Sequence, residues 1–148
     1  MKRRKSREYI LQLLYKLDFM KDAKGPSREE AKLAEAFGNF WADAGEGDPK
    51  IKAFTEEIVT GTITHLKEID ALLQKVAEKW TLTRMATIDR NILRSATYEL
   101  LYRRDIPEAV TINEALEIAK KYSTAESAAF INGILDKIAK EHKTKAEG

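Results

Sequence analysis

The sequence predicts an all-α protein of about seven helices in two small bundles. Three observations carry that prediction. Apolar residues recur at three- and four-residue steps along most of the chain, the spacing that lines one face of a helix. No segment alternates with a period of two, and no internal repeat is visible. Three S/T-x-x-E patterns, Ser27–Glu30, Thr111–Glu114 and Ser123–Glu126, stand before apolar runs as helix-start signals. A chain of 148 residues is one ordinary domain, long enough to bury about 70% of its unfolded surface. We read residues 1–148 as one domain, with an N-terminal bundle over about 1–79 and a C-terminal bundle over about 80–142.

The first helix is expected from about Arg4 to Lys21, with Ile10, Leu13, Leu14 and Leu17 as its core stripe. Arg4, Leu11 and Tyr15 fall on a different side, and Arg7, Leu11 and Tyr15 follow four-residue steps. Gly25-Pro26-Ser27 breaks the chain, and the second helix carries Ala31, Leu33, Ala34, Phe37, Phe40 and Trp41. In the following loop Asp48 is the expected N-cap, and Pro49 takes the first helical position, where its missing N–H costs nothing. A third helix through Ile51, Phe54, Ile58, Ile63, Leu66 and Ile69 is expected to continue toward Val76, bending near Gly61.

Trp80–Arg84 reads as the junction between the two halves. The central helix, Met85 to Arg103, carries Met85, Ile88, Ile92, Ala96 and Leu100 on one face, with Leu93, Tyr98 and Leu101 off it. A helix apolar on more than one side packs between other helices. Glu99 and Arg103 stand four apart in the favourable order for a surface pair. Asp105-Ile106-Pro107 ends this helix, because proline disfavours helix in the residue before it. Thr111 is expected to cap a helix through Ile112, Ala115, Leu116, Ala119 and Tyr122, and Ser123 to cap a last one through Phe130, Ile131, Ile134, Leu135 and Ile138. Gly133 in mid-helix costs about 1 kcal/mol against alanine, usually offset by close approach of another helix. The tail after His142 is expected to fray.

Composition removes several functional classes. With no cysteine there are no disulfides, thiolate metal sites or cysteine nucleophiles. His65 and His142 are far apart, and neither an HExxH motif nor a Gly-rich phosphate loop occurs, so no metal site, no cofactor and no histidine-based catalysis is expected. Glu56 and Glu57 are adjacent and point apart on a helix. These absences favour a binding protein over an enzyme. No apolar run approaches the roughly 18 residues of a membrane span. The basic N-terminus is not followed by an h-region, so neither a secretory signal nor a membrane partner is expected, and a cytoplasmic setting is.

The net charge of +2 points to no particular partner, but its distribution does. Lys2, Arg3, Arg4, Lys5 and Arg7 precede or flank the first acidic residue, Glu8, and such a cluster attracts phosphate. The commoner reading of such a cluster is a solvated terminal tail. A cation beside the exposed ring of Tyr15 suits RNA, where phosphate takes the charge and an unstacked base the ring. The competing reading packs Tyr15 at the core edge with its hydroxyl in water.

Linked motifs then give a family resemblance. Tyr15-Lys16-Leu17-Asp18, the block Asp89-Arg90-x-x-Leu93-Arg94-x-Ala96-x-Tyr98-Glu99-Leu100, Ile106-Pro107, Ile112-Asn113-Glu114-Ala115-x-Glu117-x-Ala119-Lys120 and Phe130-x-Asn132-Gly133-x-Leu135-Asp136 occur in order. Together they resemble the NusB family of transcription antitermination factors. The match covers Arg3 to Lys21 and Trp80 to Lys137.

The resemblance implies two helical bundles, no catalysis, and binding to the boxA element of nascent single-stranded RNA. It implies NusE, a small-subunit ribosomal protein, and the transcription elongation complex as partners, with read-through and ribosomal RNA transcription as the outcome. Self-association into a homodimer is also a family trait. By position it implies RNA contact by Arg3, Arg4, Lys5, Arg7, Tyr15, Tyr122, Glu126 and Phe130, and partner contact around Asp89. Tyr122, Glu126 and Phe130 are spaced by four, so a continuous helix would put two rings and a carboxylate on one flank. Glu126 stands where other family members often carry aspartate, and Ala128–Ala129 replace more polar residues. Two other readings are a helical protein-interaction scaffold and a detached RNA-binding domain related to ribosomal RNA methyltransferases.

Overall fold

The computed structural model describes residues 3–19, 30–77 and 85–147. The described residues form seven helices and no strand: α1 (Arg3–Phe19), α2 (Glu30–Ala44), α3 (Pro49–Thr64), α4 (Leu66–Ala77), α5 (Thr87–Tyr102), α6 (Glu108–Tyr122) and α7 (Ala125–Glu147). This is the all-α class expected from the sequence. The Ser27 cap, the first helix's end at Lys21 and the Trp80–Arg84 junction lie outside the described residues. Among the described residues no helix is long and apolar enough to cross a membrane. Two units emerge, Met1–Thr64 and His65–Gly148. Helix α4 therefore groups with the second unit, whereas the sequence boundary near 79/80 assigned it to the first.

In the first unit α1 packs along α3. Ser6 and Thr55, both fully buried, let the two backbones come close. The Ser6 hydroxyl donates to the Ile51 carbonyl (3.3 Å) and the Thr55 hydroxyl reaches the carbonyls of Ile51 (2.8 Å) and Ser6 (3.5 Å). Ile10, Leu13 and Leu14 of α1 and Phe54, Ile58 and Val59 of α3 supply the apolar burial, each such side chain contributing about 1.5–3 kcal/mol. Leu11 is buried as well, so the core stripe of α1 is wider than expected. Helix α2 ends at Gly45, whose φ of +66° is a left-handed conformation that favours glycine, and whose N–H reaches the Trp41 carbonyl at 3.0 Å. Asp48 caps α3 as expected, its Oδ1 accepting the Lys50 N–H at 2.9 Å.

The expected bend at Gly61 is not where the chain breaks. Gly61 stays inside α3, and the interruption falls at His65. Its imidazole stacks on Tyr102 with ring centres 4.3 Å apart, and Nδ1 lies 2.7 Å from Glu68. The apolar spacing through Ile63, Leu66 and Ile69 runs unbroken across this point, so spacing carries no sign of the break.

In the second unit α5 touches α4, α6 and α7, which is why it is apolar on more than one side. Glu99 is buried and accepts the Thr111 hydroxyl at 3.1 Å. It does not sit on the surface as expected, and Arg103 pairs with Asp105 at 2.8 Å. Thr111 accordingly lies inside α6, whose start is set by Pro107 and Glu108. The cap of α7 is Thr124, one residue beyond the expected Ser123: its hydroxyl accepts the Ser127 N–H at 2.9 Å, and Ser123 instead ends α6. The backbone of α7 stays helical to Glu147, past the fraying point expected after His142. The two lysines, the alanine and the glutamate of this tail are good helix formers.

Gly133 is exposed, and a Cβ built there meets nothing within 4 Å, so the close helix approach expected there does not occur. Gly133→Ala should therefore raise stability by about 1 kcal/mol. A thermal melt checks this, and a lower midpoint would contradict it.

Candidate nucleic-acid interface

The four basic residues at the start of α1 fall into three settings. Arg3 and Arg7 turn toward α3, their guanidinium carbons 4.5 and 5.4 Å from the centre of the Phe54 ring, and Arg7 is buried. Their stems cover apolar surface while the planar cations stack on the ring. Lys5 is exposed along its stem, with Nζ 2.9 Å from Glu46 Oε1. Arg4 is exposed.

Glu46 gathers three donors. Lys5 Nζ and the Tyr9 hydroxyl, each at 2.9 Å, meet Oε1, and the Asp48 N–H reaches Oε2 at 3.0 Å. The Lys5 hydrogen bond, then the Asp48 N–H, then Tyr9 hold its carboxyl down to about 2. The same bond raises Lys5. Tyr9 is pushed up by burial first and by Glu46 second. Tyr9 also meets Phe40 and Trp41 edge-on, at 5.6 and 5.2 Å, fixing α1 to α2. Trp41 donates to Glu56 Oε2 at 2.8 Å, linking α2 to α3. Spacing did not reveal this aromatic cluster, because loop residue Glu46 organises it.

Tyr15 is 40% exposed. Helical geometry puts it on the flank of Arg4 and Glu8, one turn beyond Leu11. The first unit thus presents Arg4 and Tyr15 to solvent about three turns apart on one flank, with Lys5 on the next exposed flank.

The second unit holds the other expected RNA residues. The helix does not run on through Tyr122, Glu126 and Phe130. It ends at Tyr122 and restarts at Ala125, so only Glu126 and Phe130 share a helix flank. Tyr122 is half-buried under the Lys121 ammonium, 5.3 Å from its ring centre. Glu126 is exposed and Phe130 half-buried, on the edge of α7 rather than in its core.

Asp89, expected at a partner contact, is only 8% exposed. It sits in the first turn of α5, where a carboxylate suits the helix dipole. Its Oδ2 accepts the Ser127 hydroxyl at 2.8 Å, joining the starts of α5 and α7, while Oδ1 is buried without a hydrogen-bond partner. Sequence reasoning also missed what Arg94 does. Its guanidinium grips Asp70 with two bonds of 2.8 Å and reaches Asn91 at 3.2 Å. A cation between Leu93 and Ala96 in an apolar helix was the available signal. Among the described residues no group of histidines and carboxylates is arranged to hold a metal.

Comparison with known proteins assigns the fold and its lineage. The model of the NusB family matches residues 4–140. The transcription antitermination protein NusB of Thermodesulfovibrio yellowstonii is 53% identical, with 99% of each chain covered. The solved NusB of T. maritima is 40% identical and superposes with a TM-score of 0.82 over 100% of this chain and 99% of that one. A structure of antitermination factors NusB and NusE in complex with dsRNA superposes at a TM-score of 0.80 with 22% identity, over 95% of this chain and 99% of its own, a likeness of fold alone. On the family match and the full-length relatives, this chain belongs to the NusB family.

Proposed function

We propose that this chain is an RNA-binding transcription antitermination factor that binds boxA RNA together with NusE and supports read-through and ribosomal RNA transcription. The observation that carries this is the 53% identity, across 99% of both chains, to a protein named for transcription antitermination. The likeness of fold to a NusB solved with NusE and dsRNA supports it. So does the surface chemistry: an exposed ring at Tyr15 and an exposed cation at Arg4, about three turns apart on one helix, and a carboxylate and ring at Glu126 and Phe130, are groups that bind unstacked bases and phosphates.

In this reading the role is regulatory rather than catalytic, in the cytoplasm, within the transcription elongation complex, and the chain also self-associates as a homodimer. Arg4, Lys5 and Tyr15 contact RNA from the first unit, and Tyr122, Glu126 and Phe130 from the second. Arg3 and Arg7 hold α1 on Phe54 and add positive potential to the first unit. NusE docks around Asp89.

Tyr15→Ala removes an exposed ring and should leave the melting temperature near wild type. It should weaken boxA binding by about 1–3 kcal/mol, the contribution of one stacked base. Fluorescence anisotropy against labelled RNA measures this. Unchanged affinity would remove Tyr15 from the surface. Phe130→Ala is a poorer probe, because a half-buried ring also carries packing energy.

A further inference from the structure

Outside those surfaces the second unit carries a stack of three rings. His65 lies 4.3 Å from Tyr102, Tyr102 lies 5.1 Å from Tyr98, and all three planes are within 27° of one another. One carboxylate clamps the group: Glu68 meets His65 Nδ1 at 2.7 Å and accepts the Tyr102 hydroxyl at 3.0 Å. Tyr102 is nevertheless 41% exposed. Its orientation is fixed before any ligand arrives, so little rotamer entropy is left to lose on binding.

The charges around the stack are unevenly spent. Glu68 is taken by His65 and Tyr102, Asp105 by Arg103, and Asp70 by Arg94. Lys67 precedes Glu68 on α4, and Arg104 follows Tyr102 by two residues. Both are exposed, and among the described residues neither has a partner. The large exposed apolar side chains of the described residues are Tyr15, Tyr102 and Val110 alone. A stable protein interface buries about 800 Å² per partner around an apolar centre, and one ring rimmed by charges does not supply that. A nucleobase needs only a flat, rigid ring and a cation for its phosphate.

We propose that the His65–Tyr102–Tyr98 stack, with Lys67 and Arg104, is a second single-stranded RNA contact that takes one base on Tyr102 and its phosphates on the two cations. This rests on the RNA-binding reading and extends it to RNA beyond the surfaces named above.

The test uses the full chain and a labelled single-stranded RNA in which boxA is flanked on both sides by uridine-rich sequence. Tyr102→Ala should lower affinity about fivefold or more, the loss of one stacked base. Tyr102→Phe keeps the ring but loses the Glu68 clamp, and should bind between wild type and Tyr102→Ala. Lys67→Ala/Arg104→Ala should shallow the log–log salt slope by about 0.7 for each phosphate that is no longer neutralised. Wild-type binding with an unaffected Tyr102→Ala variant overturns this proposal alone. So does a Tyr102→Ala variant that loses NusE affinity but keeps RNA affinity, since the stack would then be a protein contact. A wild-type chain that binds no RNA overturns the functional reading and this one together. If Tyr102→Ala melts below the assay temperature, the double variant decides by its salt slope, an unchanged slope overturning the proposal.

Discussion

Arg94→Ala should lower stability by about 3 kcal/mol, the low end of the cost of breaking a buried ion pair from one side, because the Asp70 side chain is 27% exposed. The Arg94 side chain is 9% exposed, and both terminal bonds to Asp70 disappear at once. Asn91, 1% exposed and itself donating to the Thr87 carbonyl, loses the bond that Arg94 donates to its Oδ1. Loss of that bond adds about 0.5–1.5 kcal/mol. For a chain of this size about 3 kcal/mol corresponds to a drop of roughly 6–12 °C in melting temperature. Arg94→Lys should fall between wild type and alanine, because an ammonium cannot reproduce the planar fork that meets both carboxylate oxygens. A melt of Arg94→Ala near the wild-type midpoint would show that solvent on the Asp70 side compensates.

Asp89→Lys should cost about 3 kcal/mol. It places a buried cation in the first turn of α5, where the dipole favours the opposite charge, and it removes the bond to Ser127 that joins α5 to α7. The same change looks from sequence like a clean charge reversal at a partner surface. Burial makes it a stability mutation first. Asp89→Asn keeps the volume and an oxygen for Ser127, and should cost only about 1 kcal/mol. It is therefore the variant with which to probe docking of NusE around this position. Loss of NusE binding by Asp89→Asn at near-native melting temperature would support a contact there, and unchanged binding would place the contact elsewhere.

What spacing could reveal divides along a physical line. Helix α5 was legible because its apolar residues repeat for four turns, and the Asp48–Pro49 start of α3 was legible because capping is a local reaction of side chain with nearby backbone. Two other caps were misplaced for the same reason. Ser123 and Thr124 are both capping residues, and only the packed structure selects the second. Thr111 is a capping type used instead as a buried donor to Glu99. The break at His65 and the burial of Arg7 depend on Tyr102 and Phe54, partners supplied by other helices. Of the candidate site, the exposure of Tyr15 followed from its place on α1. The continuous Tyr122–Phe130 flank did not survive, because a new helix starts between them. Asp89 read as a surface charge because nothing in its neighbourhood along the chain announces Ser127, 38 residues away.

The central claim is recognition of boxA RNA with NusE, and one titration tests it most directly. Labelled boxA RNA and a scrambled RNA of the same length are titrated with the full chain, with and without NusE, at two salt concentrations. The account predicts saturable binding that prefers boxA, tightens when NusE is present, and weakens as salt rises because phosphate contacts release counterions. Equal affinity for the scrambled RNA in both conditions, or no binding with or without NusE, would contradict it.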